Sequence, residues 1–211
     1  TLVVVPTPSG ADGVFSNKYV LNACESIATG LAAKSAYHLV ILVSTVMPGS
    51  TGEEIRATLE RVSGKQCGID FGLCYVPSFI ALGSVVRDFL NPDYLLVGEF
   101  DAKSGDLLQK LYGQVCENDP PVVRVNFVNA EITKLATNAF VSTKITFGNM
   151  IAQICENLPG AHVDVVTSTL GLDSRIGVKY LKGGAGYGQA VLMNYVGLRI
   201  IADLQKRLFG H

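Results

Sequence analysis

His38-Leu-Val-Ile-Leu-Val-Ser44 followed by Thr45-Val-Met-Pro48-Gly49-Ser-Thr51 decides the fold. The first half is an almost continuous apolar run, not an alternating one. Such a run suits a strand buried on both faces, the signature of a parallel sheet covered by helices. The second half breaks the strand at Pro48-Gly49 and offers Ser50 or Thr51 ahead of Glu53-Glu54, a helix start. Working outward, similar apolar runs recur at Leu2–Val5, Gly68–Val76, Tyr94–Val97 and Val122–Val125, with helical patterns near 17–35, 50–63, 79–90 and 104–117 between them. Strand and helix alternating at this spacing predict an α/β domain over residues 1–125, with a parallel Rossmann-like sheet. After residue 126 the rhythm changes. Residues 126–157 read as one long helix with no proline until Pro159, and shorter helical pieces follow near 162–170, 173–181 and 191–209. Residues 126–211 are therefore expected to be a second, all-helical domain.

Composition narrows the function classes. The 211 residues are 48% hydrophobic and 17% charged, enough for a sizeable core. A net charge of -1 leaves no basic footprint for nucleic acid or an anionic membrane. No apolar run reaches about 18 residues, so no membrane span is expected. The five cysteines, at 24, 67, 74, 116 and 155, show no CxxC spacing and read as buried free thiols in a reducing compartment. His38, His162 and His211 have no ligand spacing, and no metal site is expected.

Three further segments carry chemistry. In Asn129-Ala-Glu-Ile-Thr-Lys134-Leu-Ala-Thr-Asn138, a lysine and an asparagine lie four residues apart, on one face of a helix. A cation beside an amide suits a site where an alcohol loses a proton and a hydride; the bland alternative is a solvated helix face. Asp173-Ser-Arg175-Ile-Gly177 offers a guanidinium suited to phosphate oxygens, or alternatively a cation that satisfies helix-end carbonyls. Tyr180-Leu-Lys182-Gly-Gly-Ala-Gly186-Tyr-Gly188 is a glycine-rich turn that permits close backbone approach to a ligand.

Taken in order with Ser44–Thr51, these motifs resemble the UDP-glucose/GDP-mannose dehydrogenase family, the nucleotide-sugar dehydrogenases. The resemblance runs through most of residues 1–188. It implies an NAD-dependent, two-step oxidation of the C6 alcohol of a nucleotide-linked hexose, UDP-glucose above all, to the uronic acid. It assigns catalytic roles to Lys134, Asn138 and Thr45. Lysine would stabilise the alkoxide and thiohemiacetal oxygens, while asparagine and threonine hold the catalytic water. Substrate contacts fall on Ser78, Phe79, Ile80, Arg175, Lys182, Gly186 and Gly188, and cofactor contacts on Val5, Pro6, Thr7, Ser44, Thr45 and Val46. It further implies a cytoplasmic homodimer assembled through the helical domain, with Arg175 reaching the partner's substrate.

The match has departures. No G-x-G-x-x-G follows any predicted strand, and Val5-Pro6-Thr7-Pro8 corresponds to the family's fourth strand and loop. The first mononucleotide-binding half is thus absent from the sequence. The family's Gly-Gly-x-Cys-Phe-Pro-Lys/Arg-Asp signature, with its nucleophilic cysteine, does not follow Gly188; a junction between Gly188 and Gln189 is expected. The family's Asn-Pro-Glu-Phe-Leu-x-Glu-Gly appears as Val76-Pro-Ser78-Phe-Ile-Ala-Leu82-Gly. A serine hydroxyl cannot replace a carboxylate as general base near neutral pH, which puts thioester hydrolysis in doubt. Two other readings stay open. One is a catalytically impaired homologue serving as a binding or assembly module. The other is a 3-hydroxyacid or 6-phosphogluconate type dehydrogenase, which also sets Lys and Asn on the first helix of an all-α domain.

Overall fold

The computed structural model describes residues 1–10, 15–80 and 83–182. It divides into two compact units, Thr1–Lys134 and Leu135–His211. In the first, a five-stranded sheet has the order β1 (Leu2–Val3), β2 (His38–Leu42), β3 (Phe71–Tyr75), β4 (Leu95–Glu99), β5 (Val122–Val125). Strands β1, β2 and β3 are parallel, as are β4 and β5. The sheet is therefore mostly parallel, as the apolar runs predict.

One strand departs from that expectation. β4 runs antiparallel to β3, with Tyr75 opposite Gly98 and Cys74 opposite Glu99. A parallel return needs a helix that crosses the sheet face. Between β3 and β4 the helical pattern near 79–90 yields only α3 (Val85–Leu90), which has no buried residue. With no crossover layer, the chain re-enters from the edge at which β3 ended.

Side chains alternate between two cores, one on each face. Val40, Leu42, Phe71, Leu73, Tyr75 and Leu96 pack with α1 (Lys18–Ala32) and α2 (Arg56–Ser63). Ile41, Cys74, Leu95 and Val97 pack with Leu108 and Tyr112 of α4 (Ala102–Tyr112). On α1 the buried residues Val20, Cys24, Ala28 and Leu31 recur at helical spacing. α4 starts where the Asp101 side chain accepts the Ser104 N–H at 2.8 Å. A π-helical turn, Thr51–Ile55, leads directly into α2.

α5 (Phe127–Glu156) contributes its first residues to the first unit, and its remainder, with α6 (Val163–Gly171), makes the described part of the second. The helical piece expected near 173–181 is a series of turns instead. Gly177 at φ 71° and Tyr180 at φ 67° lie in the left-handed region, which ends helices. Among the described residues no helix is long and apolar enough to cross a membrane.

Candidate functional site

In an open α/β sheet, ligands bind outside the carboxyl ends of the parallel strands. Here the ends of β1 and β2 are stitched by side chains. Ser44 Oγ accepts the Val5 N–H at 2.8 Å and donates to the Val5 carbonyl at 2.8 Å. Thr7 Oγ1 donates to the Thr45 carbonyl at 2.8 Å. Val46 is buried, Thr45 and Thr7 are half-buried, and Pro6 is exposed. The structure thus gathers all six candidate cofactor residues at one edge. Two of them, Val5 and Ser44, are spent on each other rather than aimed outward.

Beyond Thr45 the chain turns sharply. Gly49 has φ 95°, a conformation glycine adopts without a Cβ clash. The Gly49 N–H donates to Glu131 Oε2 at 2.6 Å and the Thr51 N–H to Glu131 Oε1 at 2.9 Å. Glu131 is 0% exposed. Burial pushes its carboxyl above the ordinary carboxylate range, opposed by the hydrogen bonds from Thr51 and Gly49.

One turn further along α5 is Lys134, also buried. Its Nζ donates to the Ser78 carbonyl at 2.7 Å and lies 4.7 Å from the centre of the Phe79 ring. Burial lowers its pKa to about 8. No ion pair is formed by Lys134 among the described residues. A desolvated ammonium with no carboxylate partner is a strong electrostatic resource for a developing oxyanion. Ile80 is exposed beside this cluster in sequence, and Leu82 lies outside the described residues. Ser78, Phe79 and Lys134 are therefore brought together, though Ser78 takes part through its backbone oxygen.

The remaining candidates belong to the second unit. Asn138 is half-buried, and its carbonyl accepts the Ser142 hydroxyl at 2.8 Å, leaving its amide clear of that bond. Arg175 is exposed and turned onto Asp173, with Nε 2.9 Å from Oδ1 and 3.1 Å from Oδ2. Lys182 is exposed. Gly186, Gly188 and the expected Gly188–Gln189 junction lie outside the described residues.

Which part of NAD these residues fit follows from their donors. The helix amides at Gly49 and Thr51, the natural seat for a diphosphate, are already engaged by Glu131. The edge formed by Pro6, Thr7, Thr45 and Val46 offers apolar surface and hydroxyls, which suit an uncharged ring and carboxamide. The described residues accordingly fit the nicotinamide end of the cofactor rather than its phosphates.

Sequence reading overlooked Glu131. Its signal was present: an acid three residues before Lys134 shares its side of the helix. Helix-face acids are usually solvated, and only the tertiary contact shows otherwise.

Two family models match the chain. Residues 1–116 match the NAD binding domain of the UDP-glucose/GDP-mannose dehydrogenase family, and residues 128–201 match that family's central domain. The UDP-glucose 6-dehydrogenase AglM of Haloferax volcanii is 36% identical over 190 residues, which is 89% of this chain and 44% of that protein. The GDP-mannose 6-dehydrogenase of Pseudomonas savastanoi pv. phaseolicola is 33% identical over 195 residues, 91% of this chain and 43% of that one. This chain thus spans less than half the length of these relatives. Among solved structures, a UDP-glucose dehydrogenase from the archaeon Pyrobaculum islandicum superposes with a TM-score of 0.81 at 28% identity, covering 98% of this chain and 52% of that one. A GDP-mannose dehydrogenase from Pseudomonas aeruginosa, solved as a ternary complex, gives 0.78 at 28% identity, covering 95% and 47%.

Proposed function

The chain belongs to the UDP-glucose/GDP-mannose dehydrogenase family, and we propose that the protein is an NAD-dependent nucleotide-sugar 6-dehydrogenase that converts the C6 alcohol of a UDP-hexose to the uronic acid. The observation that carries this reading is Lys134: a buried ammonium without a carboxylate partner among the described residues, held by the Ser78 carbonyl. NAD, when bound, accepts the hydride that leaves the carbon being oxidised. This chain's residues position the reactants and oppose the developing charge. Residues 1–125 supply part of the cofactor domain, with Val5, Pro6, Thr7, Ser44, Thr45 and Val46 at the nicotinamide edge. Lys134 opposes the negative charge that grows on the substrate oxygen as its proton leaves. Asn138 and Thr45 orient water and sugar hydroxyls, and Phe79 and Ile80 line the sugar. From the region after residue 126, Arg175 and Lys182 meet the substrate's phosphates, Arg175 from the partner subunit of a homodimer, after it exchanges Asp173 for phosphate. Gly186 and Gly188 let the backbone approach the sugar. Cytoplasmic placement goes with this reading, because NAD and nucleotide sugars are cytoplasmic pools.

Ser78 favours a second reading, in which oxidation does not run through hydrolysis. Its side chain is a hydroxyl where the family pattern has a glutamate, and among the described residues no carboxylate pairs with Lys134 to take over as base. One experiment decides between them. The full-length protein is incubated with NAD and either UDP-glucose or GDP-mannose, while NADH and the sugar product are followed together by absorbance and mass spectrometry. Two NADH per uronic acid supports the complete reaction. Sugar-dependent NADH that stops at a single stoichiometric burst supports the impaired enzyme. No NADH with either nucleotide sugar removes the assignment as a UDP-glucose or GDP-mannose 6-dehydrogenase.

A further inference from the structure

Glu131 is the one fully buried acid among the described residues, yet it meets neither lysine nor arginine. Burying a carboxylate is costly unless its oxygens are satisfied. Here both are, by the backbone of one turn: Oε2 takes Gly49 N–H at 2.6 Å and Oε1 takes Thr51 N–H at 2.9 Å. These amides sit at the start of the Thr51–Ile55 helical turn, where the helix dipole presents positive potential. Charge-assisted bonds of this kind are roughly twice as strong as neutral ones. The turn is held from its other side too, since Asn17 Nδ2 donates to Ser50 Oγ at 2.9 Å.

What the clamp joins is the informative part. On one side is the segment that begins with Thr45; on the other is the α5 turn that carries Lys134. Residues three apart on a helix share a side, so an ion pair between Glu131 and Lys134 was available. The two side chains diverge instead: the carboxylate goes to the turn and the ammonium to the Ser78 carbonyl. The acid's charge is absorbed by amides and the lysine's charge stays available.

We propose that Glu131 is a positioning residue for the oxidation, locking the Met47–Thr51 turn, and with it Thr45, at a fixed distance from Lys134. This rests on the dehydrogenase reading above, in which Thr45 and Lys134 act on the same substrate. Both groups must then be held to within about half an ångström, and misplacement by about 1 Å costs on the order of 100-fold in rate.

The test uses full-length protein with Glu131→Gln, Glu131→Asp and, as a control on the parent reading, Lys134→Ala. Glutamine keeps the shape but turns one donor towards a backbone donor. Aspartate keeps the charge but is too short to reach both amides. Expected for both Glu131 variants is a drop in kcat of about 10-fold or more with KM for nucleotide sugar and NAD within about threefold of wild type, the pattern of lost transition-state alignment. The alkaline limb of the pH profile, set by Lys134, stays in place because its charge is untouched. Wild-type kcat in a folded Glu131→Gln protein overturns the proposal. Failure of both Glu131 variants to fold also overturns it and makes Glu131 a stability residue. If Lys134→Ala keeps wild-type kcat, the dehydrogenase reading itself falls, whatever the Glu131 variants do.

Discussion

Lys134 combines burial with a charge, and the two work against each other. Its pKa falls from 10.5 to about 8 because burial disfavours the ammonium. If the charged form stabilises the substrate oxygen, kcat declines as pH rises through about 8. Lys134→Arg, which keeps its charge at all accessible pH, removes that limb even though its longer fork costs rate. Lys134→Ala lowers kcat by about 100-fold or more, the scale for deleting a preorganised charge stabiliser. Stability carries the opposite sign. Below about pH 8 folded and unfolded lysine are both protonated, and the folded state bears the full desolvation cost. Between about 8 and 10.5 the unfolded chain binds the extra proton, so stability rises with pH. The melting temperature of wild type should therefore gain on that of Lys134→Met between pH 7 and pH 10, as scanning calorimetry of the pair would show. The buried cysteines point the other way from catalysis. Burial pushes Cys24 up to about 11 and Cys67 and Cys74 up to about 12, so these thiols are poor nucleophiles near neutral pH.

At the scale of elements, two junctions set the edge on which the candidate site is built. Ser44 joins the end of β1 to the end of β2 through both polar groups of Val5. Ser44→Ala leaves the Val5 N–H without its acceptor and should cost about 1–3 kcal/mol, read by denaturant unfolding. The second junction is β4 against the start of α5. A Cβ on Gly98 would lie 2.9 Å from Ala130 Cβ and 3.3 Å from Phe127 Cα. The helix approaches so closely because that position has no side chain. Gly98→Ala should destabilise by about 1–3 kcal/mol, the range for overpacking, and Gly98→Val by more. Because Phe127 and Ala130 precede Glu131 and Lys134 on one helix, the same substitution should lower kcat in whatever protein still folds.

At the scale of the whole molecule, the described residues of the second unit expose a great deal of apolar surface. Phe140 is 66% exposed, Leu172 81% and Val165 63%, and Met150, Ile154 and Leu158 are each about half exposed. Single exposed apolar residues need no explanation, but this density on α5, α6 and the turn after them marks an interaction surface. A two-fold pairing of that surface with itself is the economical cover. Sedimentation of the full-length protein at micromolar concentration should give a dimer, with an interface above about 2,000 Å² as in permanent assemblies. A monomer would remove the shared-site role of Arg175.

Local pattern was enough for most of the elements, though not for the turns near 173–181, where residues in the left-handed region end the helical pattern. Unbroken apolar runs such as His38–Leu42 fit strands buried within a sheet, and the proline-free stretch after Asn126 fits a long helix, because burial and helix breaking act over a few residues. The Lys134–Asn138 spacing was likewise readable, since one turn of helix sets it. Direction and partnership were not. Whether β4 returns parallel or antiparallel depends on whether the link after β3 covers the sheet, and α3 does not. Arg175 reads as a free phosphate binder, yet in this conformation it folds back on Asp173 two residues away. Glu131 looks like any surface acid until the turn from Gly49 to Thr51, some 80 residues earlier, closes on it. The sequence by itself determined which segments are buried and which carry charge, because those are properties of neighbouring residues. Only the tertiary structure decided whom each charge meets, because a hydrogen bond over that separation depends on the packing of the whole sheet and helix between its ends.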